Sequence, residues 1–281
     1  MSDRRHAVNE HFAVAAPYWR DVYDEYEAAG LVYRHRHEFA AALVAELDLP
    51  VRGRALEIGS GAGTMTVLLA RRGLVVDAVD AEPAMVAMTE QRALSAGVQE
   101  NVSATVADAH ALPFAEGTFD LVVALGVFPW LSAPSVAATE LARVLKPSGT
   151  AIVTADNKWR LAELFDPLAS PLIAGLRRAV KRSLERLGRR AAGAPLARRS
   201  SRSEFATVFA DAGLTAIGAW TTGFSRPSFF GRPVLPARLA EPLHSTLQYA
   251  ADRRFPIVHV MGSQLVLLLQ KPARDGTPRG E

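Results

Sequence analysis

The sequence predicts a doubly wound α/β fold, a mostly parallel seven-stranded sheet with helical cap insertions. Three observations predict it. Between residues 51 and 157, short apolar runs alternate with segments of helical period, the pattern of βαβ units covered on both faces. A glycine-rich turn, Gly59-Ser60-Gly61-Ala62-Gly63, joins the first run to the first helix. An acidic residue, Glu57, Asp80 or Asp108, stands at the end of each of the first three strands.

The elements follow in order. Residues 1–50 read as an N-terminal helical lid, with Phe12, Ala16, Trp19 and Tyr23, and then Phe39, Leu43 and Leu47, at helical spacing. Residues 51–157 form the core. Strands are expected over 54–58, 75–79, 102–107, 121–125 and 150–154, and helices over 64–72, 83–96 and 135–145. Pro147-Ser148-Gly149 closes the last of these helices. A basic helical insertion follows at 158–202. The core resumes at 203–222 with a helix over 203–212, signalled by a serine cap and ended by Gly213, and a strand over 214–221. Residues 223–256, rich in Pro, Gly and Phe, form a second cap insertion. The last strand lies in 257–272, with a bend at Gly262, and 273–281 reads as a disordered tail.

Composition excludes several chemistries. The chain has no cysteine, so disulfides, thiol nucleophiles and zinc–thiolate sites are ruled out. No histidine arrangement suggests a metal, since His35 and His37 do not share a helical face. The first ten residues lack the apolar core of a secretory signal, and no apolar run approaches the roughly 20 residues that span a bilayer. The expected location is cytoplasmic.

The net charge of +3 is unevenly spread. Between 158 and 202, twelve basic residues stand against Glu163, Asp166 and Glu185. Within this segment Leu172, Leu176, Val180, Leu184 and Leu187 form one helical face, and Arg177, Arg178, Lys181, Arg182 and Arg186 the other. The plain reading is a solvated face over an apolar one packed on the core. The alternative is that residues 172–190 contact an anionic membrane surface or an acidic carrier protein. No aromatic residues interleave with the cations, which disfavours nucleic acid.

The glycine turn decides the ligand class. Dinucleotide folds use Gly-x-Gly-x-x-Gly, whereas here the spacing is Gly59-x-Gly61-x-Gly63 and Thr64 takes the third position. Glu57 ends strand one, where a carboxylate repels a diphosphate and suits a cationic ligand without phosphate. S-adenosylmethionine, with its sulfonium and ammonium groups, is such a ligand. Asp80, about 20 residues past the glycine turn, is placed for ribose hydroxyls.

Five pieces, in order, resemble the class I S-adenosylmethionine-dependent methyltransferase family of the bacterial small-molecule type: 56–63, 79–86, 107–114, 117–123 and 141–149. The resemblance covers the middle third of the chain strongly and implies a Rossmann-like methyltransferase fold, methyl transfer and S-adenosylmethionine as cofactor. It implies that Gly59, Ser60, Gly61 and Gly63 line the methionine and ribose portion, and that Glu57 meets the amino group. Asp80 and Ala81 would border the ribose, Met85 would pack on the adenine, and Asp108 and Ala109 would meet the adenine amino edge. Leu125 and Gly126 would face the methionyl part. Arg36, with Arg34 second, would grip the carboxylate. Ser148 departs from the family's Pro-Gly-Gly.

For proton removal from an oxygen acceptor, the candidate bases are His11, His35, His37 and His110, and Tyr18 is a candidate for orienting the substrate. Gly126-Val127-Phe128-Pro129-Trp130 follows strand four, without the polar residue and second proline common in base methylation. The expected acceptor is a small or medium, rather apolar molecule, methylated at oxygen by in-line displacement. An RNA methyltransferase using the basic segment, or a cofactor-binding protein that does not methylate, are the alternatives. The oligomeric state is left open.

Overall fold

The computed structural model describes residues 28–176, 179 and 197–273. His11, Tyr18, residues 177–178 and 180–196 of the basic segment, and the tail 274–281 lie outside them. A first helix, α1 (Ala28–Glu46), precedes β1 (Arg54–Ile58), α2 (Thr64–Arg71), β2 (Val75–Asp80), α3 (Pro83–Ser95) and β3 (Val102–Val106). Then come β4 (Phe119–Ala124), α4 (Pro134–Val144), β5 (Leu145–Asn157) and the two-residue β6 (Arg199–Ser200). The chain ends with α5 (Arg202–Ala210), β7 (Thr215–Thr222), a small hairpin of β8 (Ser228–Phe229) and β9 (Arg232–Pro233), α6 (Ala240–Asp252) and β10 (Gln264–Gln270).

Seven strands form the main sheet in the order β3-β2-β1-β4-β5-β10-β7. Strands β1 to β5 run parallel, and β10 runs antiparallel to both β5 and β7. The order reverses between β1 and β4, the switch point where ligands bind in open α/β sheets. β4 ends beside Val153, and β6 takes its place next to Asp156 and Asn157 of β5.

Burial follows position. The central strands β1, β4, β5 and β10 are buried on both faces, and the edge strand β3 is partly exposed. Successive residues feed opposite cores, as strand geometry requires. Leu56 and Val122 face one core with Phe128, Phe205 and Phe209, and Ala55 and Leu121 face the other with Met65 and Leu69. Phe209 meets Phe128 edge-on at 4.8 Å and Phe205 at 5.2 Å between centroids. Burying each such ring contributes about 2–3 kcal/mol. α1 closes the second core through Ala40, Leu43 and Val44.

Several boundaries differ from the sequence reading. β4 starts at Phe119 and ends at Ala124, two and one residues early. β5 begins at Leu145, and Pro147-Ser148-Gly149 bulges from it where the register to β4 shifts. Ser148 there holds a left-handed φ of 62°. α5 starts at Arg202 because Ser201, not Ser203, is its cap. The Ser201 hydroxyl accepts from Glu204 N, and the Glu204 carboxylate accepts from Ser201 N at 2.7 Å. Ser203 has no Glu or Gln three residues on to complete that box. The last strand, Gln264–Gln270, does fall where the sequence reading puts it, in the second half of the apolar run from Ile257, and residues 258–260 ahead of it form a 3₁₀ turn. Pro171–Ile173 is likewise a 3₁₀ turn, and Leu172 and Leu176 are exposed, so the apolar face of the basic segment does not begin on the core. No described helix is long and apolar enough to cross a membrane.

Candidate cofactor cleft

A cleft of about 480 Å³ opens at the switch point, over the carboxyl ends of β1, β2, β3 and β4. The described residues that the sequence singled out for the cofactor line it, except Gly63 and the second-choice arginine, Arg34.

The glycines divide by role. Gly59, Gly61, Gly63 and Gly126 all have positive φ. Only Gly61 faces open space, where an added Cβ would meet nothing within 4 Å. At Gly59 the added atom would lie 2.4 Å from Val127 Cγ2, and at Gly126 it would lie 2.4 Å from Arg36 Nη1. At Gly63, the N-cap of α2, it would lie 2.8 Å from Thr89 Cα of α3. So Gly63 serves helix packing, and Gly126 makes room for an arginine.

That arginine is buried in the cleft wall. The Arg36 guanidinium lies 5.0 Å over the Tyr33 ring, and its Nε has no hydrogen-bond partner. Among the described residues no carboxylate forms an ion pair with it. A buried cation without an anion is costly, and a ligand carboxylate in the cleft would satisfy it.

Opposite charges line the strand ends. Glu57 is buried and accepts a short hydrogen bond from the Thr66 hydroxyl of α2. Burial raises its carboxyl to about 8, the Thr66 bond opposes the rise, and the charge of Asp80 adds to it. Asp80 accepts from Gly61 N and Glu82 N, each at 3.0 Å, yet burial still raises its pKa. Two carboxyls raised in one cleft signal a site that a cationic ligand would relieve.

The histidines separate. His110 accepts from Ala133 N through Nε2 at 3.2 Å, and its Nδ1 lies 2.5 Å from Asp108 Oδ1. An amide can only donate, so Nε2 must be unprotonated and the neutral ring donates from Nδ1. His110 therefore ties the β4–α4 loop to Asp108, and neither nitrogen is left to take a proton from an acceptor. His37 lines the cleft and stays neutral, pushed down to about 4 by burial and by the charges of Arg36 and Arg92. Arg34 and His35 face a separate groove between α1 and α6.

The sequence reading missed Thr66, Tyr33 and Asp156. Thr66 sits nine residues past Glu57, in the first turn of α2 and on its buried face, three residues beyond Gly63. Tyr33 precedes Arg36 by one helical turn. Asp156, at the end of β5, continues the row of acidic strand ends. Among the described residues, no cluster of three or more His, Asp or Glu is arranged to hold a metal.

Residues 56–153 match the family model of a methyltransferase domain. Solved structures agree over nearly the whole chain: the [4+2]-cyclase SpnF superposes with a TM-score of 0.62 at 20% identity, covering 95% of each chain. The chain has the class I S-adenosylmethionine-dependent methyltransferase fold. Geranyl diphosphate C-methyltransferase from Streptomyces coelicolor A3(2) shares this methyltransferase fold, with a TM-score of 0.51 at 16% identity over 83% of this chain and 79% of that one. Among curated sequences, the biotin biosynthesis bifunctional protein BioHC of Cellvibrio japonicus is 37% identical over 122 residues, 43% of this chain and 23% of that protein. Methyltransferase GfsG of Streptomyces halstedii is 29% identical over 147 residues, 52% of each chain. The chain thus spans about a quarter to a half of the length of these relatives. The cofactor of a methyltransferase fold of this class is S-adenosylmethionine, and the buried Arg36, the raised carboxyls and the open face at Gly61 fit it.

Proposed function

We propose that this chain is a methyltransferase that moves a methyl group from S-adenosylmethionine to a small or medium, rather apolar acceptor, at oxygen. The observation that carries the reading is the buried Arg36 with an orphaned Nε in the same cleft as the protonated Glu57. The same cleft presents a cation that awaits an anion and a carboxyl that a cation would relieve, as the adjacent carboxylate and ammonium of a methionyl group supply. Bound S-adenosylmethionine supplies a methyl carbon already activated by its sulfonium.

In this reading Arg36 holds the carboxylate, and Glu57 ionises to face the ammonium. Gly59, Ser60 and Gly61 border the methionyl and ribose parts, with Leu125 and Gly126 across from them. Asp80 and Ala81 take the ribose hydroxyls. Met85 packs on the adenine, and Asp108 and Ala109 meet its amino edge. Tyr33, Val127, Pro129, Trp130 and Leu131 supply the remaining wall, which is mostly apolar and suits a lipophilic acceptor. The protein's task is then alignment and exclusion of water. In this reading His37, which lines the cleft and is neutral at physiological pH, takes the acceptor's proton.

The test is label transfer from methyl-labelled S-adenosylmethionine to a panel of lipophilic alcohols, phenols and acids. The expected result is labelled ether or ester, with His37→Ala lowering kcat and leaving cofactor affinity unchanged. Label appearing only on nitrogen or carbon would overturn the oxygen assignment, and label in RNA alone would overturn the small-molecule assignment.

A further inference from the structure

The second cap insertion carries two apolar tips that the fold strains to expose, one at the β8–β9 hairpin and one after α6. The β8–β9 hairpin turns through Phe230 and Gly231, with φ of 50° and 73°. Both central residues of a two-residue turn at positive φ call for Asn-Gly or Gly-Gly, and phenylalanine is out of place at the first. Phe230 is nonetheless exposed there, and so is Phe229, edge-on to it at 4.8 Å between centroids. The loop after α6 repeats the anomaly. Ile257, β-branched, holds a φ of 72° and is exposed, as is Phe255. Strain kept at an exposed apolar residue points to what that residue touches rather than to folding.

Both tips are fastened to one segment, 157–168. The Ser228 hydroxyl and Gly231 N donate to the buried Asp166 carboxylate at 2.6 and 2.9 Å. On the other side Asn157 Nδ2 donates to Val260 O at 2.8 Å and to Gly262 O at 2.7 Å, and Leu161 N donates to Met261 O at 2.9 Å. Phe165 and Leu168, on the same segment, are exposed as well. This crown of six apolar side chains grows from the carboxyl edge of the sheet, where β5 and β7 end.

Its charges are cationic. Residues 223–239 carry Arg226, Arg232 and Arg238 and no acid, and Arg253-Arg254 immediately precede Phe255. Arg232 lies directly across the hairpin from Phe229. Of the nearby acids, Asp166 holds the hairpin, Glu163 pairs with Arg199 and Asp252 accepts from Gln248, which leaves Glu241 exposed against five arginines. A second copy of the chain would bring these cations against their like. We infer that this crown docks on an anionic lipid bilayer, with the Phe229-Phe230 and Phe255–Ile257 tips inserted among the acyl chains and the arginines on the headgroups. Exposed aromatic tips ringed by arginine match a bilayer interface on both counts. The docking does not rest on the methyltransferase reading.

The experiment is flotation of the full chain with phosphatidylcholine vesicles and with vesicles of phosphatidylcholine and phosphatidylglycerol, at low and high salt. The wild type is expected to float with the anionic vesicles at low salt and to release from them at high salt. Phe229→Ser/Phe230→Asn is expected to weaken partitioning by at least about tenfold, since it removes two rings' worth of insertion. The same variant should melt no lower than the wild type, because asparagine suits the turn. Its titration with S-adenosylmethionine should be unchanged, which separates this inference from the cofactor reading. A wild type that stays with the soluble fraction at low salt overturns the inference. A double variant that floats as well as the wild type also overturns it, as does one that changes only self-association.

Discussion

The two ends of the carboxyl edge place their left-handed residues by opposite logics. Around the cofactor cleft, at the carboxyl ends of β1 and β4, every positive-φ residue is glycine: Gly59, Gly61, Gly63 and Gly126. Across the later insertions, Phe230, Arg254 and Ile257 hold the same region of backbone. The first region has shed strain because its turns must bring backbone close to a ligand and to each other. The second retains strain at exposed apolar positions, where removing it would be easy. The difference teaches that the cleft's shape is set by backbone and the crown's by side chains. Substitutions should therefore act on the two regions through different observables.

The largest effect is expected at Gly126. A methyl group there would overlap the Arg36 guanidinium, so Gly126→Ala displaces the arginine. Loss of a buried charge-assisted contact costs about 2–3 kcal/mol, which is roughly a 30-fold to 150-fold loss of S-adenosylmethionine affinity by calorimetry. Gly61→Ala, with open space at the same φ sign, should weaken binding less, and equal losses at both positions would blunt the distinction drawn here.

Next comes the pH dependence of Glu57. Its carboxyl sits at about 8 in the folded chain against an ordinary 4.5. The folded state therefore holds a proton that the unfolded chain gives up, so stability is full below 4.5 and is lost as pH rises towards 8. Glu57→Gln should flatten that decline in denaturant melts at pH 5 and pH 8. A cationic ligand favours the ionised form, so cofactor affinity should rise with pH up to about 8 and then level, with protons released on binding near neutrality.

The smallest effect is expected at Ser148, the one cofactor-half residue after α4 that breaks the glycine rule. Ser148→Gly should raise stability by about 0.5 kcal/mol in chemical denaturation, with no change in ligand binding.

The cleft was far more legible in the sequence than the crown, for a physical reason. Glu57, Asp80 and Asp108 fall on one edge because parallel strands repeat the same direction, so local pattern fixes global place. Arg36 was also legible, but as a resemblance, since α1 reaches the cleft through packing that no local spacing encodes. His110 looked available as a base, and only the Ala133 amide, 23 residues on and brought in by tertiary structure, uses up its Nε2. The helix starts at Arg202, one residue before the sequence reading places it, although Glu204, the partner that makes Ser201 its cap, is visible in the sequence. The hairpin at Phe230 is hidden in a stretch that the sequence marks only as a cap insertion, irregular or helical, because phenylalanine is not a turn signal and its strained φ is invisible in one dimension.

The central claim is that the switch-point cleft holds S-adenosylmethionine through Arg36 and Glu57. Calorimetric titration of the wild type, Arg36→Ala and Glu57→Ala with S-adenosylmethionine, S-adenosylhomocysteine and NAD tests it most directly. The account predicts binding of both adenosyl ligands by the wild type, weaker binding by each variant, and no binding of NAD. A folded wild type that binds neither adenosyl ligand, or that binds NAD in their place, would contradict it.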